Sequence, residues 1–95
     1  MSDIAHTLNL LTLAKGNPEG STVPGTDLEV AVISEKRDNL TLEHDLWLLV
    51  LEGELIIDLP FGDFRTLKVG ECLHLEAGLK ISYQPLEDAV VLRRG

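Results

Sequence analysis

From position 28 onward, apolar residues occur in short runs that turns separate at intervals of about eight to twelve residues. The runs cover residues 28–34, 40–43, 46–52, 54–59, 64–69, 72–76, 79–84 and 89–93. None is long enough for a globular helix, and they have the length of strands. This spacing predicts an all-β sandwich or barrel.

The first third of the chain has a different pattern. Residues 16–27 contain three glycines and two prolines, which predicts a loop. Before this loop, residues 9–13 favour an edge strand, and the alternative is a short helix capped by Ser2 or Asp3. Residues 1–27 are therefore interpreted as an N-terminal strand or short helix with a loop, and residues 28–95 as the barrel.

Two hairpins can be registered from the residues around their turns. A turn at residues 60–63 places Leu59 opposite Phe64 and Asp58 opposite Arg65, an opposite-charge pair across the strands.

A second hairpin with residues 77–78 at its tip places His74 opposite Ile81 and Cys72 opposite Tyr83. In that register all four side chains share one surface of the sheet. They form either a ligand pocket or the edge of a filled core, and we include them in the candidate pocket.

Residues 46–51 are apolar at every position, whereas a strand with one solvated face should alternate. One face must lie in a closed interior, and the other must be covered by a second layer or a partner subunit. We therefore predict a homodimer, with Trp47, Leu49 and Leu51 as its candidate interface, because large aromatic residues are enriched at interface centres.

Composition limits the possible partners. The 95 residues carry 16 acidic and 8 basic side chains, for a formal charge of −8, and 44% are hydrophobic. These values predict one small globular domain over residues 1–95 and exclude a disordered acidic tail. The scattered basic residues argue against binding to nucleic acid or to an anionic membrane.

The sequence has no basic, apolar leader and no apolar run approaching the ~20 residues of a membrane helix. Cys72 is the single cysteine and cannot form an intramolecular disulfide. We therefore expect a soluble, cytoplasmic protein.

Three segments together resemble the cupin family of small β-barrels. They are VLEGE at residues 50–54, KVGE at 68–71 and EAG at 76–78, in the order and approximate spacing of the family's two motifs. The resemblance covers about residues 40–93. It implies a double-stranded β-helix, which is a jelly-roll barrel.

Metal-binding cupins hold their ion with three histidines and one glutamate, and none of these is present at the corresponding positions. Aligning the first motif on Gly53 places Leu46 at the glutamate, and aligning the second on Gly70 places Ile81 at the third histidine. The other two histidine positions fall on Leu40 and Leu42 or, with a longer spacer, on Asn39 and Thr41. Because aliphatic side chains cannot bind an ion, we predict no metal and no cofactor.

His44 is the histidine nearest to a displaced ligand. It is either a relocated ligand or general base beside Glu43 and Asp45, or a solvated histidine in a turn. We include it in the candidate pocket and name no catalytic residue.

Two functional hypotheses follow. The first is a metal-free cupin that binds a small molecule or acts as a structural or interaction module. The alternative is a divergent cupin enzyme, either metal-dependent through His44 and His74 or a metal-independent isomerase or epimerase.

Overall fold

The computed structural model describes residues 7–94, which form one α-helix and seven strands. The elements are α1 (Leu10–Gly16), β1 (Ser21–Thr22), β2 (Glu29–Ile33), β3 (Arg37–Thr41), β4 (Leu46–Asp58), β5 (Phe64–Leu67), β6 (Cys72–Leu75) and β7 (Lys80–Arg94), with a 3-10 turn at Pro60–Gly62. No helix in this part of the chain is long and apolar enough to cross a membrane.

The long strands β4 and β7 pair with each other and form the centre of the fold. The first part of β4 also pairs with β6 and its last part with β5. Similarly, the first part of β7 pairs with β3 and its last part with β2. All these pairs are antiparallel, which confirms the predicted all-β jelly-roll architecture.

Gly53 lies where β4 bends across β7. The register shifts on both sides of Glu52, and Gly53 has φ +82°. A Cβ atom at this position would overlap the Asp88 carbonyl oxygen and lie 2.9 Å from the Ala89 Cα. Glycine is therefore required here both for the backbone conformation and for the close approach of the strands.

The N-terminal segment is a helix, so the prediction of an edge strand over residues 9–13 is wrong. Asn9 caps α1, because its Oδ1 accepts a hydrogen bond from Thr12 N at 3.1 Å. This bond satisfies one of the free N–H groups at the start of a helix. The alternative caps, Ser2 and Asp3, lie outside the described residues.

Helix α1 covers part of the outer face of the sheet. Ala14 is fully buried against Val30 and Val90, and Leu51 packs at the edge of the same cluster. The second apolar face of β4 is thus covered partly by the chain's own helix. Packing against the sheet explains why a seven-residue segment is helical, since so short a helix is marginal on its own.

The predicted register of the first hairpin is wrong by one residue. Asp58 pairs with Phe64 and Ile57 with Arg65, because the Leu59 N–H donates to the Asp63 carbonyl and shortens the turn. Arg65 instead contacts Asp63 at 2.6 Å. This hydrogen bond holds the pKa of the Asp63 carboxyl below its usual value.

The predicted second hairpin does not form. β6 pairs with β4, which places His74 beside Trp47 and Cys72 beside Leu49. Ile81 lies on β7 and pairs with Leu40 of β3. A jelly roll places these consecutive strands against different partners. The correct neighbours are therefore distant in sequence, and the local turn does not identify them.

Candidate functional site

A cavity of about 250 Å³ lies within the barrel. Most of its wall is aliphatic and comes from β3, β4 and β7 and from the residue after β3. Leu48, Leu55 and Ile57 of β4 belong both to this wall and to the buried core. The cavity is therefore continuous with the core.

The positions that correspond to the family's metal ligands converge on this cavity. Its wall includes Leu40, Leu42, Leu46 and Ile81. The alternative positions given by the longer spacer, Asn39 and Thr41, are exposed and do not line it.

The cavity does not fit the metal that the cupin resemblance implies. Its four corresponding positions present only methyl and methylene groups, which have no lone pairs for a cation. Within residues 7–94, no group of three or more His, Cys, Asp or Glu side chains could hold an ion. We therefore derive no step through a metal.

One part of the cavity wall is polar. Glu29 of β2 and Arg93 of β7 are cross-strand partners, and the Arg93 Nε and Nη2 atoms donate to Glu29 Oε1 at 2.8 and 2.6 Å. Tyr83 lines the cavity as well. The site therefore combines an aliphatic wall with an ion pair and a phenol.

The structure does not bring the five candidate pocket residues together. Ile81 and Tyr83 line the cavity, whereas His44, Cys72 and His74 are exposed. His74 and Cys72 pair with Trp47 and Leu49, so they lie on the outer face of the sheet. The shared surface predicted for Cys72, His74, Ile81 and Tyr83 was wrong because it assumed the hairpin that does not form.

Sequence reasoning missed Glu29 and Arg93 as site residues. Arg93 stands beside Arg94, and two adjacent arginines suggest surface charge. The available signal was the alternation of β7, which places Ala89, Val91 and Arg93 on one face. Ala89 and Val91 are fully buried, so the same face brings Arg93 to the cavity.

A second apolar feature lies outside the barrel. Leu28, Trp47, His74 and Arg94 line a groove of about 370 Å³ on the outer face of the sheet. This groove is separate from the cluster that includes Leu51 and α1. Trp47 and Leu51 therefore have different surroundings although both come from β4.

Several solved structures resemble this chain. Protein NMB1881 from Neisseria meningitidis matches with a TM-score of 0.76 and 17% identity, covering 93% of this chain and 96% of that one. A cupin-2 domain containing protein from Shewanella frigidimarina matches at 0.63 with 18% identity, over 70% and 65% of the two chains. The Drosophila melanogaster CENP-C cupin domain matches at 0.63 with 23% identity, over 78% and 63%.

The chain has a cupin fold. No family model matches the sequence. No curated protein matches it either. At these identities the likeness establishes the fold alone, so the function of this chain must be argued from its own residues.

Proposed function

We propose that this cupin is a metal-free binding module that holds a small, largely apolar molecule in its barrel cavity. The observation that carries the proposal is the placement of Leu40, Leu42, Leu46 and Ile81 on one cavity wall. At these positions aliphatic side chains stand in place of the histidine and glutamate side chains that would bind an ion. They offer a ligand the dispersion contacts and water exclusion typical of small-molecule sites.

The size of the cavity limits the ligand. An engineered apolar cavity of about 150 Å³ accommodates benzene, which has six non-hydrogen atoms. In proportion, the 250 Å³ cavity would accommodate a molecule of up to about ten such atoms. A single aromatic ring with one polar substituent has the right size.

The enzyme alternative has less support. His44 and His74 are exposed, and the His74 imidazole faces Asp45, with 3.9 Å between Nε2 and Oδ2. Neither histidine lines the cavity. The proposal therefore assigns them no part in binding or catalysis.

Benzyl alcohol at millimolar concentration is expected to shift the NMR signals of the cavity methyl groups and to raise Tm. Leu46→Phe should abolish both effects, because the larger ring occupies part of the cavity that Leu46 lines. Titration of methyl-labelled protein, followed by thermal unfolding, measures both.

Leu49→Phe is the matched control, because Leu49 is a half-buried leucine of the same strand that does not line the cavity. This variant should bind as the wild type does. Unchanged methyl signals in the wild type would contradict the proposal. Stoichiometric iron, manganese, nickel or zinc in protein purified without chelator would do the same.

We also propose that the cupin forms a homodimer through the outer groove at Trp47. The support is a half-buried tryptophan beside Leu28 in a groove on the outer face of the sheet. Tryptophan is enriched at interface centres, and His74 and Arg94, which line the same groove, provide polar groups at its edge. Leu51 packs with the α1 cluster, so we place Trp47, and not Leu51, at the centre of the contact.

Trp47→Ser is expected to weaken dimerisation at least about tenfold, since central aromatic residues contribute most to interface energy. Sedimentation equilibrium over a range of concentrations measures the change. Phe64→Ser is the control, because Phe64 is an exposed aromatic residue on β5 that does not line the groove. A wild-type protein that remains monomeric at high concentration would exclude the dimer.

A further inference from the structure

Glu29 and Arg93 form the only ion pair among the described residues that line the barrel cavity. Both are partly buried, with 41% and 29% of their side-chain surfaces exposed. They are cross-strand partners, and Leu48 pairs with Arg93 on its other side. The ion pair is thus continuous with the apolar wall.

The loop before β1 holds the Glu29 carboxylate in place. Gly20 packs so closely that a Cβ atom there would lie 2.7 Å from Glu29 Cδ. Arg93 Nη2 also lies 3.5 Å from the Glu19 carbonyl oxygen. The carboxylate is therefore confined beside the guanidinium, and its charge offsets that of Arg93.

Arg93 retains hydrogen-bonding capacity after pairing. A guanidinium has five N–H groups. Nε and Nη2 donate to Glu29 Oε1, while Nη1 makes no hydrogen bond with any other residue of the range 7–94. Arg93, which lines the cavity, thus keeps free N–H donors on a group whose charge is already compensated.

The approach to this polar end contains further carboxylates. Ile33, Tyr83 and Arg93 also line a third groove, of about 660 Å³, which is distinct from the groove at Trp47. Glu19, Glu35 and Arg37 line the same groove. Together with Glu29, the residues that line the groove and cavity carry three carboxylates and two guanidinium groups, so their summed charge does not attract an incoming anion.

We propose that the Glu29–Arg93 pair makes this cavity select neutral molecules with a hydrogen-bond acceptor over carboxylates of similar size. This inference rests on the proposed binding function. A neutral hydroxyl or carbonyl oxygen can accept from Arg93 Nη1 without a charge penalty. A carboxylate would place a second negative charge near Glu29, where partial burial makes repulsion stronger than in bulk water.

Benzyl alcohol and benzoate test the selectivity at neutral pH and low salt. The wild type should bind benzyl alcohol at least about tenfold more tightly than benzoate. In Glu29→Gln the ratio of the benzoate dissociation constant to the benzyl alcohol dissociation constant should fall at least about fivefold. Glutamine keeps the shape of the side chain but leaves the positive charge of Arg93 uncompensated. NMR titration of the cavity methyl groups measures all four constants.

Asp27→Asn is the matched control. Asp27 is also acidic and lies two residues from Glu29, but its carboxylate faces Arg94, at 3.8 Å, outside the cavity. Its removal changes the net charge equally and should leave the ratio unchanged. If Glu29→Gln does not fold, the same ratio is measured for the wild type at increasing salt concentration. Added salt screens the repulsion of benzoate and should lower the ratio.

The outcomes separate this inference from the proposed function. Benzoate binding as tightly as benzyl alcohol, or an unchanged ratio in folded Glu29→Gln, would overturn the selectivity and leave cavity binding intact. Failure of both ligands to bind the wild type would overturn the proposed function and the selectivity together.

Discussion

Gly53→Ala is expected to lower the free energy of unfolding by about 3 kcal/mol, which for a domain of this size lowers Tm by about 15 °C. Two effects combine. An alanine must adopt φ +82°, and its Cβ must displace the backbone of β7 at Asp88 and Ala89. Urea unfolding followed by circular dichroism measures the loss.

Gly70→Ala separates the two effects. Gly70 has φ +87°, but a Cβ atom there would meet nothing within 4 Å. Only conformational strain remains, and we expect a loss of about 1 to 2 kcal/mol. Equal losses in the two variants would show that the contact between β4 and β7 at Gly53 is not close enough to require glycine.

Leu55→Ala is expected to lower the free energy of unfolding by about 2 to 5 kcal/mol. Leu55 is fully buried and lines the cavity, so its truncation removes core contacts and enlarges an existing void. Ile56→Ala is the control on the next residue, which is half-buried and does not line the cavity. We expect a smaller loss there, measured by the same urea unfolding.

Benzyl alcohol should stabilise Leu55→Ala at least as much as the wild type, because the enlarged cavity still accommodates the ring. If the ligand stabilises neither protein, the cavity is not its binding site. If Ile56→Ala costs as much as Leu55→Ala, the inner face of β4 does not dominate the core.

The strands could be predicted because each depends on local pattern. The apolar run at residues 46–51 correctly indicated a strand with two apolar faces. The turn predicted at Gly53, between runs 46–52 and 54–59, is wrong, because the structure has a register shift there within one continuous strand, β4. The motif spacing placed Leu46 and Ile81 at ligand positions of the family and left Leu40 and Leu42 as one of two alternatives for the other positions. All four of these residues line the cavity.

The errors arose where pairing is not local. His74 and Ile81 flank a plausible turn, yet one pairs with β4 and the other with β3. Similarly, the segment at residues 9–13 is helical because its apolar side packs on Val30 and Val90, which are distant in sequence. In both segments, contacts with residues distant in sequence decide the structure. The local sequence pattern is too weak to predict it.

The sequence by itself determined the all-β class, the glycine at the bend and the aliphatic character of the positions that could have held a metal. These features depend on side-chain chemistry and on spacing along one strand. Only the tertiary structure decided that Glu29 meets Arg93 and that His74 lies outside the barrel. Such encounters depend on which distant strands become neighbours, and many pairings satisfy the same local pattern of apolar and polar residues.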